Sequence, residues 1–317
     1  MILDYLGILS GLLLLVFGAD RFVTGAANIA RNLGISPLII GLSIVGIATS
    51  APEILVGSAA ALEGKTEIAI GNALGSNIAN IGMVLGISII IVPAVITSGT
   101  LRREYLLMFL SAVVAGLVLA DGEIGRIDSA ILLLTLAAFM IWIIHIARLS
   151  KVSDPLAAEF EQELSRQMPF RKSVIVLVIG IFLLLAGAEL LVQCSVNVAS
   201  HFGISDLVIG LTIVAVGTSL PELAASVASV LKKEADIAVG NVIGSNMFNM
   251  LAVIGVPGLI HPDTFGKDVL YRDLPVMFGL TLLMGWMVFI QNKGKLYRIE
   301  GVVLLLCFTV YQYTLLA

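Results

Sequence analysis

Apolar residues in this chain come in long, regularly spaced runs that are separated by short polar connections. Each run approaches or exceeds the roughly 20 residues that an α-helix needs to cross the hydrocarbon core of a bilayer. The pattern therefore predicts an all-α polytopic membrane protein with ten transmembrane helices. In chain order the predicted spans are 3–19, 36–62, 66–93, 103–121, 127–148, 173–199, 205–231, 236–260, 271–291 and 297–316.

The composition agrees with this class, since the chain is 59% hydrophobic and 13% charged with a mean hydropathy of +1.06. A soluble protein carries about 25% charged residues. The first apolar run has no Lys or Arg before it and no convincing small-residue cleavage site after it, so we expect a retained span rather than a signal peptide.

The basic residues lie mostly on one side of the predicted spans. If the N-terminus marks the first side, that side holds four of the 18 Lys and Arg residues and the second side holds the other fourteen. The positive-inside rule then predicts that the second side is cytoplasmic and that both termini are extracytoplasmic. The four residues on the first side are Lys65, Arg126, Lys267 and Arg272.

A long segment of the chain occurs twice. Residues 34–80 recur without a gap, 169 residues later, as 203–249. Five predicted crossings separate equivalent positions, so the two copies enter the membrane in opposite directions. The sequence thus predicts two inverted five-helix repeats, a design that places a binding site near the bilayer midplane. The predicted parts are a first repeat at 1–149, a cytoplasmic linker at 150–172 and a second repeat at 173–317.

The linker allows two interpretations. Leu156, Phe160 and Leu164 recur at helical spacing among polar residues, which is typical of a short amphipathic helix on the membrane surface. A plain connecting segment explains the same residues, and the sequence does not choose between the two.

Each repeat carries a Thr-Ser-x-Pro-Glu motif inside a span, at residues 49–53 and 218–222. Proline within a helix removes one backbone hydrogen bond. In lipid the freed carbonyl needs another partner, so such a break suits a place where protein, water or an ion supplies one. We therefore expect the carbonyls near Gly46 and Ala215 to be available as cation ligands.

The carboxylates of Glu53 and Glu222 carry the strongest functional signal. A charged group at the centre of a membrane helix costs about 2.5–3.5 kcal/mol, and no Lys or Arg lies at comparable depth in any span. Two carboxylates brought together repel each other unless a cation or a proton intervenes. The next span of each repeat adds hydroxyl and amide oxygens, and such hard ligands suit Ca²⁺ or Na⁺. These residues are Asn72, Ser76, Asn80, Asn241, Ser245 and Asn249.

Other functions fit the sequence less well. An enzyme with Ser50 or Ser219 as nucleophile would need a base, but no His or Lys lies at matching depth. The net charge of −4 without a basic stripe argues against nucleic acid. Single cysteines inside spans argue against a disulfide framework or a zinc site. A passive channel stays open as an alternative and would conduct without coupling two gradients. The acids Asp20 and Glu189 occupy equivalent positions near opposite faces, where we expect a role in helix-end structure.

The motifs GIATSAPE with GNALGSNIAN, and GTSLPE with GNVIGSNMFN, resemble the two alpha-repeats of the cation/calcium antiporter superfamily, which includes the sodium/calcium exchangers. The resemblance covers nearly the whole chain and matches the compact prokaryotic members. It implies an exchanger-like fold in a prokaryotic plasma (inner) membrane and antiport of Ca²⁺ against Na⁺ by alternating access. Exchange of Ca²⁺ or another cation against H⁺ is the alternative. The partners implied are inorganic cations and the lipid bilayer, without a cofactor.

The same resemblance implies a set of cation ligands. The Glu of each Pro-Glu motif is a central ligand in that family. The preceding Thr and Ser, the Ser and last Asn of the second motif, and two backbone carbonyls complete the set. In this sequence the ligands are Glu53, Glu222, Thr49, Ser50, Thr218, Ser219, Ser76, Asn80, Ser245, Asn249, Gly46 and Ala215.

This chain departs from some relatives at the last motif position. That position can be acidic, but here it is Asn80 in one copy and Asn249 in the other. The site then has two formal negative charges, both from the glutamates. Two charges neutralise one Ca²⁺ and leave the number of Na⁺ ions open.

Overall fold

Helices make up nearly all of the chain. The computed structural model describes residues 2–95, 101–150, 168–202, 215–291 and 295–316. The helices are α1 (Ile2–Leu33), α2 (Pro37–Ile40), α3 (Gly46–Thr49), α4 (Ala51–Leu62), α5 (Thr66–Ala79), α6 (Gly86–Ile91), α7 (Leu101–Val118), α8 (Arg126–Ser150), α9 (Phe170–His201), α10 (Ala215–Thr218), α11 (Leu220–Leu231), α12 (Ala235–Phe248), α13 (Gly255–Ile260), α14 (Leu274–Trp286) and α15 (Arg298–Leu316). Four two-residue strands are β1 (Ala94–Val95), β2 (Glu123–Ile124), β3 (Asp263–Thr264) and β4 (Lys295–Leu296).

Short helices join into membrane-length rods through π-helical turns. Such turns link α2 to α3, α5 to α6, and α12 to α13. Among the described residues, nine helices are long and apolar enough to cross a membrane. The seventh predicted span, 205–231, is described only from Ala215 onward and contributes the shorter apolar helix α11. The polytopic helical class predicted from the hydrophobic runs is confirmed. The linker segment 151–167, with its possible surface helix, lies outside the described residues.

The first helix is longer than the predicted span 3–19, because α1 continues to Leu33. Its extension from Phe22 to Ala30 is mostly buried, so packing rather than lipid contact maintains the helix there. Helix α1 runs against α9, its counterpart in the second repeat, along small residues. A Cβ atom added to Gly18 would lie 2.6 Å from the backbone nitrogen of Leu184, and one added to Gly180 would lie 2.4 Å from that of Phe22. Glycines therefore set the close approach of these two helices.

Contacts between loops show which connections share a membrane face. On one face, β2 pairs with β3, with Glu123 opposite Thr264. On this face, too, the Thr66 hydroxyl donates to the His261 carbonyl at 2.6 Å. We call it the Lys65 face, because Lys65 lies in the connection just before Thr66. These contacts join the connections after the second, fourth and eighth spans, as ten crossings require.

The opposite face, which we call the Lys232 face, holds β1 paired with β4 and two ion pairs. Lys232 Nζ lies 2.6 Å from Asp20 Oδ1, and an Arg31 guanidinium nitrogen lies 2.5 Å from Glu234 Oε1. Burial raises the pKa of Glu234, and the Arg31 charge acts in the opposite direction. The linker ends on this face as well, since the Asn32 side chain donates to the Met168 carbonyl at 2.9 Å. Asp20 thus forms an ion pair at this face, but it lies within α1 and not at the helix end where the sequence placed it.

The repeat offset of 169 residues gives each of these groups a counterpart on the Lys65 face. The counterpart of Asp20 is Glu189, and the counterpart of Lys232 is Glu63. The two carboxylates have other partners: Gln193 donates to Glu189 at 3.0 Å, and Lys65 pairs with Glu63 at 3.0 Å. The charge pattern at the two faces is therefore not symmetric, although the helices are.

Candidate cation site

Each Thr-Ser-x-Pro-Glu motif spans a point where one helix ends and another begins. The backbone at Ser50 (φ −84°, ψ 0°) and at Ser219 (φ −90°, ψ 5°) leaves the helical region in the same way in both repeats. The prolines lie in the first turn of the new helix, where a missing N–H breaks no intrahelical bond. Each motif proline thus starts a helix instead of distorting a continuous one.

The Gly46 carbonyl, one of the expected cation ligands, has a backbone partner. The Gly46 carbonyl accepts a hydrogen bond from the Ser50 N–H at 3.0 Å. The carbonyl that loses its partner to a proline lies four residues before it. For Pro52 that residue is Ala48. Gly46 can still offer its second lone pair to a cation, because a carbonyl oxygen has two.

The glutamates occupy the first turn of the new helices. Glu53 is the third residue of α4, and Glu222 is the third residue of α11. Each side chain is only 1% exposed. The N-terminus of a helix carries a partial positive charge, which favours a carboxylate there. The helix break thus partly offsets the cost of a buried carboxylate at a depth where no basic side chain is available.

The second motif of each repeat ends in a π-helical turn. Asn80 begins the turn Asn80–Leu85, and Asn249 begins the turn Asn249–Val253. Such turns occur often at functional sites, because the extra residue changes the direction of the side chains that follow. No sequence signal marks these turns, since a π turn has no distinctive periodicity over five or six residues. Both asparagines are buried, with at most 1% of their surface exposed.

Buried polar atoms without a hydrogen-bond partner concentrate at these motifs. Most buried polar side-chain atoms in proteins have a partner, so a cluster without one indicates a ligand position. Among the described residues, both carboxylate oxygens of each glutamate lack one. Side-chain oxygen or nitrogen atoms of three pairs of equivalent residues also lack a hydrogen-bond partner there. They are Ser50 and Ser219, Asn77 and Asn246, and Asn80 and Asn249.

Another buried carboxylate shows what a structural role looks like here. Asp273 is 6% exposed and accepts hydrogen bonds from Arg272 at 2.8 Å and from the Tyr311 hydroxyl at 3.0 Å. A buried charge usually has partners of this kind. The contrast with Glu53 and Glu222 separates a structural carboxylate from two whose oxygens lack hydrogen-bond partners among the described residues.

The two repeats meet at the predicted residues. The Thr49 hydroxyl lies 3.0 Å from the Ser245 hydroxyl and 3.1 Å from Asn241 Oδ1. The Asn77 amide donates to the Asn246 carbonyl at 3.2 Å. Residues from the first half of the chain thus contact residues about 170–200 positions later, as an inverted repeat predicts.

Two glycines of α12 allow this approach. A Cβ atom on Gly240 would lie 2.5 Å from the Leu38 carbonyl oxygen, and one on Gly244 would lie 2.2 Å from that of Leu42. Gly46 contacts the same part of α12, because its Cβ would lie 2.9 Å from the Gly244 carbonyl carbon. The second span and α12 therefore cross with backbone against backbone, beside the polar cluster.

The remaining predicted residues lie on α5 and α10, two helices that contact each other. Ser76 is buried in α5, and Thr218 is partly exposed at the end of α10. Ala215 begins α10. Glu53 is close enough to Glu222 for their charges to repel. In the described part of the chain, no three His, Cys, Asp or Glu side chains come together.

The model of the sodium/calcium exchanger protein family matches residues 3–145 and 172–317. The chain belongs to this family. Individual relatives agree with the family match. CaxA of Alkalimonas amylolytica is 46% identical, with 97% of each chain covered. The sodium/calcium exchanger MaX1 of Methanosarcina acetivorans is 31% identical, also with 97% of each chain covered. Inner membrane protein YrbG of Escherichia coli is 42% identical over 86% of this chain and 85% of its own.

The solved structure of the sodium/calcium exchanger from Methanococcus jannaschii has the same fold as this exchanger. Its TM-score is 0.84 at 33% identity, and the match covers 98% of this chain and 97% of that one. Family and fold together identify an integral membrane transporter of inorganic cations that works by cation/Ca²⁺ antiport. The resemblance drawn from the two motifs is thereby confirmed, as is the exchanger-like fold.

The structure of the exchanger also places two polar residues beside the predicted ligands, although neither is in the predicted ligand set. Asn241, one of the hard-oxygen residues predicted from the sequence but absent from the ligand set that the family resemblance implies, contacts Thr49. Ser226 follows Glu222 by one helical turn and accepts a hydrogen bond from Asn241 at 3.1 Å. A buried serine in an apolar helix usually bonds its own backbone, so no sequence signal marks Ser226.

Proposed function

We propose that this exchanger moves Ca²⁺ across the membrane against Na⁺ by alternating access, with both ions using the buried oxygen cluster. The observation that supports this most directly is the set of orphaned carboxylate, amide and hydroxyl oxygens repeated in both halves. Carboxylate, carbonyl and hydroxyl oxygens are the ligands that Ca²⁺ takes in proteins. Relatives bearing the name sodium/calcium exchanger support Na⁺ as the counter-ion.

The proposed ligands are those implied by the family resemblance. Glu53 and Glu222 supply the two negative charges, and the motif hydroxyls, the amides of Asn80 and Asn249, and the carbonyls of Gly46 and Ala215 supply neutral oxygens. The transported ions are cargo, and we propose no resident cofactor. With neutral amides at the last motif positions, one Ca²⁺ balances the charge of the site.

Charge balance also provides the coupling. An empty site has two bare carboxylates, and moving unpaired charge through the membrane barrier is costly. A loaded site is neutral or nearly so, and α1 and α9 can then slide along their glycine contact to open the other face. The carrier therefore changes face when loaded and stays in place when empty, which gives obligatory exchange.

The counter-ion is tested by driving Ca²⁺ uptake with one gradient at a time. Purified exchanger in proteoliposomes is given an outward Na⁺ gradient at equal pH, or an outward H⁺ gradient without Na⁺, and uptake of radioactive Ca²⁺ is followed. We expect the Na⁺ gradient to drive uptake at least about tenfold faster than a K⁺ gradient of the same size, because the related proteins named sodium/calcium exchangers support Na⁺ as the counter-ion.

Uptake under the pH gradient alone would instead support Ca²⁺/H⁺ exchange. Unpartnered carboxylates favour that second candidate too, since each can carry the proton itself. Downhill Ca²⁺ flux that ignores both gradients would contradict antiport and indicate a channel.

We also propose that the Lys232 face is cytoplasmic and that both termini lie outside the cytoplasm, with the exchanger in a prokaryotic plasma (inner) membrane. Single cysteines at position 65 or 295 test this, in a background with Cys194 and Cys307 replaced. A membrane-impermeant maleimide should label Lys65→Cys in intact cells and Lys295→Cys only after permeabilisation. The reverse pattern would invert the orientation without affecting the proposed chemistry.

A further inference from the structure

A chain of hydrogen bonds links Thr49, a proposed ligand, to residues outside the ligand set. The Thr49 hydroxyl lies 3.0 Å from the Ser245 hydroxyl, which can donate or accept, and 3.1 Å from Asn241 Oδ1, which can only accept; the helix carbonyls of Val45 and Gly46 lie farther away, at 3.2 Å and 3.5 Å. Asn241 in turn donates its amide hydrogens to Ser226 Oγ at 3.1 Å and to the Glu222 carbonyl at 3.4 Å.

Which group donates each of these hydrogen bonds matters for ion binding. A hydroxyl binds a cation through its lone pairs, so its single hydrogen must point to some other acceptor. Asn241 Oδ1 is such an acceptor for Thr49. The amide of Asn241 presents its oxygen to Thr49 only while its nitrogen faces acceptors, and Ser226 together with the Glu222 carbonyl provides them.

The side chains that form this series of hydrogen bonds are buried: Thr49 is 2% exposed, and Asn241 and Ser226 are 0% exposed. Bulk water does not reach them, so the bonds cannot be replaced at little cost if one partner is removed. These hydrogen bonds also connect the two repeats, since Thr49 belongs to the first repeat and Asn241 and Ser226 belong to the second.

The first repeat has no equivalent arrangement. The counterpart of Asn241 is Asn72, and the counterpart of Ser226 is Gly57, which has no hydroxyl. Among the described residues, Asn72 Nδ2 has no hydrogen-bond partner. The serine is therefore a feature of one half only, and the repeat does not explain its presence.

We propose that Asn241 and Ser226 are positioning residues for cation binding, with Ser226 fixing the Asn241 amide and Asn241 orienting the lone pairs of Thr49 toward the ion. The proposal rests on the proposed function and adds two residues to that site. It makes Ca²⁺ affinity depend on a hydroxyl that does not itself contact the ion.

The test compares Ser226→Ala with Ser229→Ala in proteoliposomes, using radioactive Ca²⁺ uptake under whichever gradient drives the wild-type protein. Ser229 is a matched control, because it is buried on the same helix and its hydroxyl donates to the Ala225 carbonyl at 2.8 Å, its one hydrogen-bond partner among the described residues. We expect Ser226→Ala to raise the KM for Ca²⁺ about three- to tenfold with little change in maximal rate, as befits the loss of one buried hydrogen bond. Ser229→Ala should leave the KM within about twofold of the wild type.

A double-mutant cycle makes the test specific to Thr49. In a Thr49→Val background the hydroxyl is absent, so adding Ser226→Ala should change the KM no further. Equal effects of Ser226→Ala with and without the Thr49 hydroxyl would overturn the proposal. So would an unchanged KM for Ser226→Ala, or a loss of folded protein with the KM unchanged. A wild-type protein that moves no Ca²⁺ under any gradient would instead refute the proposed function, whatever the variants do.

Discussion

Replacing Glu53 or Glu222 by glutamine is expected to lower the kcat/KM of Ca²⁺ transport at least about 100-fold, which corresponds to roughly 2.7 kcal/mol. Each replacement keeps the shape of the side chain but removes one of the two negative charges that balance the ion. A divalent cation then leaves a net charge in a buried site, where charge is poorly screened. Initial rates of Ca²⁺ uptake into proteoliposomes, over a range of Ca²⁺ concentrations, measure the effect.

Glu63→Gln is the matched control. Glu63 directly follows α4, the helix whose first turn holds Glu53, but its side chain is exposed and pairs with Lys65. We expect transport by this variant to remain within about twofold of wild type, since exposed ion pairs contribute little. Each glutamine variant should also keep its elution profile in detergent, because the wild-type carboxylates have no hydrogen bonds to lose in the described structure. Wild-type transport by Glu53→Gln would refute the proposed role of the carboxylates.

Gly244→Leu is expected to prevent most of the protein from folding. Even a Cβ atom at this position would lie 2.2 Å from the Leu42 carbonyl oxygen, and the obstacle is backbone that cannot rotate away. Overpacking of this kind typically costs about 1–3 kcal/mol for a few extra methylene groups and more where the neighbour is rigid. The yield of monodisperse protein in detergent and its melting temperature measure the effect.

Gly279 provides the comparison, because it is also a glycine within a membrane helix. No atom lies within 4 Å of the Cβ position at Gly279 in the described part of the chain, and the residue is exposed. Gly279→Ala should keep the wild-type yield and melting temperature or raise the latter slightly, since alanine favours helix by about 0.5–1 kcal/mol over glycine. Normal folding of Gly244→Leu would mean that the crossing between α12 and the second span is looser than described.

The duplicated motifs made much of this site predictable. Glu53 and Glu222 stand out in sequence because a carboxylate without a basic partner is expensive in a membrane. The odd number of crossings between copies predicts an inverted repeat with a site where the two copies meet. The Thr49 and Ser245 hydroxyls, one from each copy, lie 3.0 Å apart. Long-range information of this kind comes from the repeat itself, which turns one local pattern into a pairwise contact.

Other features depend on geometry that a single sequence does not encode. The π turns at Asn80 and Asn249 shift side-chain direction without changing composition. The Gly46 carbonyl keeps a partner because the chain breaks at Ser50, and sequence patterns locate such a break only within a few residues. The Ser226 hydroxyl accepts a hydrogen bond from Asn241, which lies on another helix. The position of Asn241 in the structure reveals this contact, and a sequence pattern does not.

The unequal charges at the two membrane faces affect which conformation the carrier occupies between transport cycles. If the Lys65 face closed as the mirror image of the Lys232 face, Glu189 would take the place of Asp20 and meet Glu63 instead of a lysine. Partly exposed pairs of this kind contribute about 0–1 kcal/mol, so we expect an occupancy ratio of up to about fivefold in favour of carriers open toward the Lys65 face. Apparent affinity scales with the fraction of binding-competent carriers. Identical ligands would then appear to hold Ca²⁺ more tightly from one side of the membrane than from the other.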